Sequence, residues 1–322
     1  MSIIIAGTGS YLPKKILSNK EIEKIAPTSD KWVKDNLGIV TRRIAAPDET
    51  TSDLAFKASL SALSDSGVDP KDIDAIIVAT STPDRPSPST ACILQDKLGL
   101  YGCCAFDISA VCTGFVYGLS IASSMLLQRQ FKKILLVGAE TYSRITDWSS
   151  RDCVYFGDGA GAVIVEESSS GFFDFDIRSD GSGKDYFTVL GGGSEYPASY
   201  DTVKDKKHYF DMNGKEIFNF ATSALPQSIN DILDKNSIKP SDIKIVIPHQ
   251  PNIKILKEVS RRTNIPVDKV QICLDKIGNT AGASIPIALD WAARDKKIQT
   301  GDLILMTAVG SGMTWGSIIM KW

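Results

Sequence analysis

The pattern of residues 70–137 returns about 170 positions later, and this repetition limits the possible folds more than any other feature of the chain. Pro240-Ser241-Asp242-Ile243-Lys244-Ile245-Val246-Ile247 echoes Pro70-Lys71-Asp72-Ile73-Asp74-Ala75-Ile76-Ile77. Leu274-Asp275 echoes Phe106-Asp107, Thr280-Ala281-Gly282 falls opposite Cys112-Thr113-Gly114, and Leu303-Ile304-Leu305-Met306 echoes Ile134-Leu135-Leu136-Val137. A Pro-x-Asp-Ile turn before a strand is ordinary turn chemistry. Four matches in one order and nearly one register indicate an internal duplication. Two similar α/β halves are expected, residues 1–170 and 171–322, joined near Ser168 to Gly171. Phe172 to Asp211 has no counterpart of equal quality. It reads as an insertion rich in glycine and charge, Lys204-Asp205-Lys206-Lys207 included.

Strand-length apolar runs alternate with helical periodicity, the pattern of α/β architecture. Thr51 to Gly67 carries Leu54, Ala58, Leu60, Ala62 and Leu63 at helical spacing, and Ala75-Ile76-Ile77-Val78-Ala79 reads as a buried parallel-type strand. Pro83 to Pro88 is a rigid loop, followed by a helix from about Ser89 to Leu98 and a strand over Lys133 to Gly138. Ser2 to Gly7 reads as a buried strand stopped by glycine. A net charge of −2 gives no basic stripe for nucleic acid. No run reaches the roughly 18 apolar residues of a membrane span, and the N-terminus has no basic leader. A cytoplasmic protein is expected. Its six cysteines (92, 103, 104, 112, 153 and 273) lack framework spacing and read as reduced thiols. Cys103 and Cys104 point to opposite faces of a strand, and with His208 and His249 the only histidines, no metal site is expected.

Cys103 to Ile108 reads as a buried strand and Gly114 to about Leu127 as a helix, with a small-residue elbow between them. Cys112 therefore sits near a helix N-terminus, whose partial positive charge and free N–H groups favour a thiolate. It is a candidate nucleophile, or else a small buried hydrophobe, the usual fate of a free cysteine. Duplicated halves would bring three segments together: this elbow, the loop after the Ile245–Ile247 strand, and the Asp275–Gly282 turn. His249 lies at the carboxyl end of that strand, where α/β proteins bind ligands, and can move a proton; a core histidine bonded to a carbonyl would look the same. Asn279 offers an amide donor or a helix N-cap. The Val309–Gly316 turn can supply N–H groups that form half of an oxyanion hole, with the N–H of Cys112 as the other half, or be a plain glycine turn. Gly157-Asp158-Gly159-Ala160-Gly161 lacks the Lys-Ser/Thr of a phosphate loop and precedes a strand, so it reads as a structural turn.

Cys112-Thr113-Gly114-Phe115, Pro248-His249-Gln250-x-Asn252, Gly278-Asn279-Thr280 and Gly310-Ser311-Gly312-Met313-Thr314-Trp315-Gly316 resemble the β-ketoacyl-acyl-carrier-protein synthase III family. Trp32, Gly38-Ile39, Arg43-Ile44-Ala45, Gly99 to Asp107 and Phe156 to Ala162 extend the resemblance along essentially the whole chain. The resemblance implies a thiolase fold, with duplicated α/β halves packed as five layers, αβαβα. It implies a decarboxylative Claisen condensation in which Cys112 takes an acyl group from a thioester. His249 and Asn279 then bond the carbonyl of a malonyl thioester on acyl carrier protein, and the enolate left after CO₂ loss attacks the acyl-cysteine. Backbone N–H groups of Cys112 and Ser311 form the oxyanion hole. No metal or redox cofactor is implied; coenzyme A or phosphopantetheine thioesters are substrates.

The resemblance also makes Trp32, Arg151, Asn252, Phe218 and Ser87 substrate- or CoA-binding positions. It places a docking face for acidic carrier protein on Lys254, Lys257 and Arg261, at helical spacing, and it implies a homodimer. The chain departs from the family pattern at four of its positions. Asn36 replaces an arginine for coenzyme A, which favours a carrier-protein donor, and Pro251 replaces an alanine. Val309 replaces a phenylalanine at the decarboxylation site. Ser87 replaces a bulky phenylalanine in the loop that closes the partner's acyl pocket, so a medium or long primer is expected. Two other readings are a non-decarboxylating acyltransferase, which CO₂ release would separate, and a partner subunit of a condensing complex. An intact Cys112, His249 and Asn279 argue against the last.

Overall fold

Strand residues in this chain sort by alternation into two sets, one facing each side of its sheet. In the computed structural model, which describes residues 2–169 and 171–322, Ala75–Ala79 is buried along its whole length. Ile76 and Val78 pack with Leu54, Ala58, Ala62 and Leu94 of the helices Thr51–Ser66 and Thr90–Leu98. Ala75 and Ile77 pack on the opposite face, with Phe115, Leu119 and Leu126 of the helix Gly114–Leu127. This strand lies parallel to Lys133–Glu140 and Cys104–Ile108. With Gly159–Ser168 and Ser2–Tyr11 they form a five-stranded sheet. A second sheet runs in the order Ile245–Pro248, Leu303–Gly310, Thr314–Lys321, Phe173–Ser179.

The helices Gly114–Leu127 and Ser284–Arg294 share one core with the inner faces of both sheets: Phe115, Leu119, Ile287 and Leu289 meet Leu136 and Val163 from one sheet and Met306 and Ile318 from the other. The helices Gly214–Lys235 and Ile253–Thr263 cover the far face of the second sheet through Leu225, Ile229, Ile255 and Val259. Five layers result, αβαβα. Of the junction expected near Ser168 to Gly171, residue 170 lies outside the described residues.

The repeat is stricter in space than in sequence. One offset of 170 residues carries Pro70–Asp72 onto Pro240–Asp242, Lys133–Glu140 onto Leu303–Gly310, and the helix start at Gly114 onto Ser284. It also carries the 3-10 turn Val111–Thr113 onto Ala281–Ala283, with Val111 (φ 47°) and Ala281 (φ 43°) both left-handed. The residue opposite Cys112 is therefore Gly282, which corrects the register inferred from sequence by two positions. Where the first sheet has Cys104–Ile108, the second keeps only a bridge between Val246 and Val270.

Three expectations fail for the same reason, that partners lying far along the chain leave no signal in a linear pattern. The first strand does not stop at Gly7 but runs to Tyr11. Its glycines admit the helix Thr51–Ser66, since a Cβ on Gly9 would stand 2.3 Å from Ala62 N. Gly159-Ala160-Gly161 opens a strand and is no turn; a Cβ on Gly161 would stand 2.6 Å from Ile287 N in the central layer. Phe172–Asp211 is only partly an insertion. Its first stretch, Phe173–Ser179, pairs with Thr314–Lys321 as Ser2–Tyr11 pairs with Gly159–Ser168.

Candidate active site

Cys112, His249, Asn279 and Ser311 line one pocket, together with Val111, Phe156, Phe187, Pro251, Asn252 and Val309. Segments from both sheets meet there. Val111, β-branched and left-handed, makes the sharp elbow that puts Cys112 one turn ahead of its helix. The residue is partly accessible, but its sulfur is desolvated. That burial, with the Glu140 carboxylate second, pushes the thiol up, while the Cys112 N–H acts weakly the other way. Burial therefore works against the partial positive charge that the helix N-terminus supplies to a thiolate. A thiol there needs a base.

His249 follows the strand Ile245–Pro248 and extends its ladder, its N–H donating to Thr307 O at 2.8 Å. Its ring is 3% exposed, and burial lowers its pKa to about 3. Nδ1 lies 2.7 Å from Ser284 Oγ. Asn279 is tied at two points: its N–H donates to Tyr155 O at 2.9 Å, and its Oδ1 accepts from Ala281 N at 2.8 Å. The Nδ2 end is thus the one left for a ligand. Gln250, fully buried, spends its amide on Pro248 O, Gln271 O and the N–H groups of Cys273 and Leu274. It holds the histidine loop to the segment leading into Asn279. Asn252 caps the helix Ile253–Thr263 by accepting from Ile255 N.

Two features of the site escaped sequence reasoning. Glu140, at the end of its strand, lies under the elbows, accepting from Thr82 Oγ1 (2.5 Å), Ser81 Oγ (2.9 Å) and the Gly282 N–H. Burial raises its pKa to about 7 against those bonds. An acid at position 140, where the repeat has Gly310, is the only hint the sequence holds. The second feature is an aromatic wall. Phe156 stacks on buried Tyr142 at 4.4 Å, Phe187 stacks on Phe210 at 5.5 Å, and Phe156 and Phe210 meet edge to face at 4.9 Å. Cys112 packs against this cluster.

The outlying expected positions divide. Arg151 lies over the Trp32 ring at 4.4 Å, outside the pocket lining. Asn36 donates to Trp32 O and accepts from Lys254 Nζ at 2.7 Å. Lys254 therefore turns toward the Trp32 side of its helix, Lys257 is exposed, and Arg261 is paired with Glu258. Ile255, Leu256 and Val259 face inward as their spacing predicts. Phe218 is 36% exposed and does not line the pocket; its neighbour Ile217 does. Ser87 is exposed on the Pro83–Pro88 loop and does not reach the pocket of its own chain. Among the described residues no group of three or more His, Cys, Asp or Glu side chains is placed to hold a metal ion. No helix among them is long and apolar enough to cross a membrane.

Residues 106–181 match the family model for 3-oxoacyl-[acyl-carrier-protein] synthase III, and residues 233–322 match the model for its C-terminal part. The chain is 47% identical over 321 residues to a β-ketoacyl-[acyl-carrier-protein] synthase III of Caldanaerobacter subterraneus, covering 99% of this chain and 97% of that one. It is 45% identical to the corresponding protein of Thioalkalivibrio sulfidiphilus, with 98% of each covered. The crystal structure of 3-oxoacyl-[acyl-carrier-protein] synthase III from Aquifex aeolicus superposes with a TM-score of 0.93 at 40% identity, over 99% of this chain and 100% of that one. Likeness at this identity along the full length of both chains extends to the duplicated five-layer core as well as to the motif segments. The chain belongs to the β-ketoacyl-[acyl-carrier-protein] synthase III family of acyl-transferring condensing enzymes, built on the thiolase fold.

Proposed function

We propose that this chain joins an acyl thioester primer to malonyl-acyl carrier protein, with loss of CO₂, at the start of fatty acid biosynthesis, and that Cys112, His249 and Asn279 carry the reaction. The observation behind this reading is the meeting of these three residues in one pocket, with a protonated thiol beside a neutral imidazole. Cys112 sulfur attacks the primer carbonyl, and main-chain N–H groups of Cys112 and Ser311 receive the oxyanion. The primer's thiol leaves with the proton that Cys112 gave up. Malonyl-carrier protein then loses CO₂, Asn279 bonds the enolate oxygen, and the enolate carbon attacks the acyl-cysteine. A β-ketoacyl thioester and Cys112 result. The scheme needs no metal or redox group.

Further parts of the reading concern partners. The two halves are taken as residues 1–170 and 171–322. Lys254 and Lys257 receive the acidic carrier protein, and Trp32 with Arg151 receives the nucleotide of a CoA donor. Cys104–Ile108 is an edge strand with a half-exposed surface, a ready-made site for antiparallel pairing in a cytoplasmic homodimer. For primer length the aromatic wall is weighed above the small Ser87: Phe156 and Phe187 line the pocket beside Cys112, with Tyr142 and Phe210 stacked on them, so a short acyl group fits best. Intact-protein mass after exposure to acetyl and octanoyl donors, then to malonyl-carrier protein, tests the scheme. Acetyl addition that disappears in Cys112→Ser and is discharged with CO₂ supports it. Loading without CO₂-linked discharge would leave simple acyl transfer, and no loading by any donor would refute both.

A further inference from the structure

Among the described residues, the largest side chain that the fold buries completely is a charged one. Arg42 is 0% exposed, and its guanidinium donates to three neutral oxygens and to no carboxylate. Nη1 reaches Asn19 Oδ1 at 2.8 Å and Leu17 O at 3.3 Å, and Nη2 reaches Val154 O at 2.7 Å, while Nε has no partner. Burial lowers the pKa to about 10, against the nearby Cys153 thiol, so the group stays charged at neutral pH. A buried cation without a counter-charge costs stability, and the repeat shows that the hairpin does not require one. The strand pair Leu17–Arg42 returns under the 170-residue offset as Phe187–Met212, where methionine holds the position without a charge. What the first half has and the second lacks is the excursion 141–158 between the strands Lys133–Glu140 and Gly159–Ser168. The second half turns from Leu303–Gly310 to Thr314–Lys321 through 311–313 alone. Val154, the far partner of Arg42, lies in that excursion.

Arg42 joins the excursion to the helix that carries Trp32. Val154 closes the 3-10 turn that Arg151 opens. On the other side, Asn19, 1% exposed, passes the contact on: its Nδ2 donates to Asp30 Oδ1 at 3.1 Å and to Ile39 O at 2.8 Å. Asp30 is the first residue of the helix Asp30–Leu37, and Ile39 follows its left-handed cap, Gly38. Two buried side chains thus tie both ends of the Trp32 helix to the turn of Arg151. Val33 and Leu37 of that helix pack with Cys153 and Val154 of the turn in one apolar cluster, and in such surroundings hydrogen bonds to a charge are strong. The Arg151 guanidinium lies over the Trp32 ring at 4.4 Å, a cation–ring contact.

We propose that Arg42, acting through Asn19, is a positioning residue that sets the spacing of Trp32 and Arg151 and so raises the affinity for a nucleotide-bearing thioester donor. The proposal rests on the reading of Trp32 and Arg151 as the seat of the CoA nucleotide. A flat base bound there needs an aromatic face and a planar cation at one separation. With the helix and the turn already tied, the base meets both side chains without first ordering the backbone that carries them. Arg42, Asn19, Trp32 and Arg151 all lie outside the lining of the Cys112 pocket, so the effect falls on donor binding and not on the chemistry at the sulfur.

Arg42→Met, which installs the residue found opposite in the repeat, tests this with acetyl-CoA and acetyl-pantetheine. The two donors share the reacting thioester and differ in the nucleotide. Acetylation of Cys112 is followed by intact mass over a range of each donor, giving a half-saturating concentration and a maximal rate. For acetyl-CoA the half-saturating concentration is expected to rise about tenfold, the scale of one cation–ring contact, with the maximal rate unchanged. For acetyl-pantetheine both values are expected to stay as they are. In a Trp32→Ala background, Arg42→Met is expected to weaken acetyl-CoA no further, since the two residues act as one unit. Arg42→Lys keeps the charge but not the fork that reaches Asn19 and Val154 together. It is expected to show the same donor-specific loss, and it replaces Arg42→Met if urea unfolding shows that variant to be unfolded. An equal rise for both donors, a loss confined to the maximal rate, or no change in a folded variant would overturn the proposal alone. An unaltered protein that saturates no more readily with acetyl-CoA than with acetyl-pantetheine would refute the nucleotide seat at Trp32 and Arg151, and the proposal with it.

Discussion

Acid should destabilise this protein through His249. Burial holds the folded imidazole at a pKa of about 3, whereas an unfolded histidine titrates near pH 6.5. Between these values the unfolded chain binds a proton that the folded chain refuses. Stability supplied by the neutral ring is therefore fully present above the unfolded pKa and is lost as pH falls toward the folded one. From about pH 7 to about pH 4.5 the loss is about 2.5 kcal/mol, at about 1.4 kcal/mol for each pH unit below the unfolded pKa. Within that window only the unfolded value matters, because the folded pKa lies below its acid end. Urea unfolding of the unaltered protein and of His249→Asn, at one protein concentration, isolates the effect, since every other group titrates in both proteins. The stability difference between the two is expected to shift by about 2.5 kcal/mol against the unaltered protein over this range. A difference that stays level with pH would mean that His249 is hydrated or already charged when folded, and the reading of the pocket as thiol beside neutral base would fail.

Three further outcomes follow from the same geometry. Glu140→Gln removes the charge that opposes the Cys112 thiolate, so alkylation of Cys112 by iodoacetamide should speed up relative to the unaltered protein above about pH 7, where Glu140 ionises; an equal or slower rate refutes this. Phe187→Ala opens the aromatic wall. With about 0.8 kcal/mol for each methylene buried, room for about three more methylenes should raise the octanoyl-to-acetyl loading ratio of Cys112 by roughly fiftyfold, and an unchanged ratio would show that the wall does not limit the primer. Gly161→Ala drives a Cβ to 2.6 Å from backbone atoms of Pro286 and Ile287. A loss of about 3 kcal/mol or more in urea unfolding is expected, and an unaltered midpoint would contradict the close seat of the central helix.

What the sequence disclosed depended on whether a residue's role is local. The buried run Ala75–Ala79 and the helix Gly114–Leu127 announce themselves through composition and period, and the elbow before Gly114 through a run of small residues. His249 and Asn279 were legible because each follows an apolar segment within the repeat. Glu140, Ser284 and the Tyr142–Phe156–Phe187–Phe210 wall were not. Their meaning lies in partners far away in the chain: Glu140 meets residues 80–82 and Gly282, Ser284 meets His249, and Phe187 comes from the stretch read as an insertion. Phe173–Ser179 matches Ser2–Tyr11 in position but not in residues, because an outer strand needs only to pair and to cover a core edge. The helix N-terminus that favours a thiolate at Cys112 is visible in the sequence, whereas the burial that opposes it belongs to the folded pocket.

The central claim is that one pocket performs two half-reactions with separate hydrogen-bonding duties, and Asn279→Ala tests it most directly. Acyl loading of Cys112 is read by intact mass and malonyl-dependent CO₂ release by trapping, in single turnovers of the variant and the unaltered protein. The account predicts loading near the unaltered rate and CO₂ release slower by about a hundredfold, the scale of one lost oxyanion donor. Loss of both half-reactions in equal proportion, or CO₂ release at the unaltered rate, would contradict it.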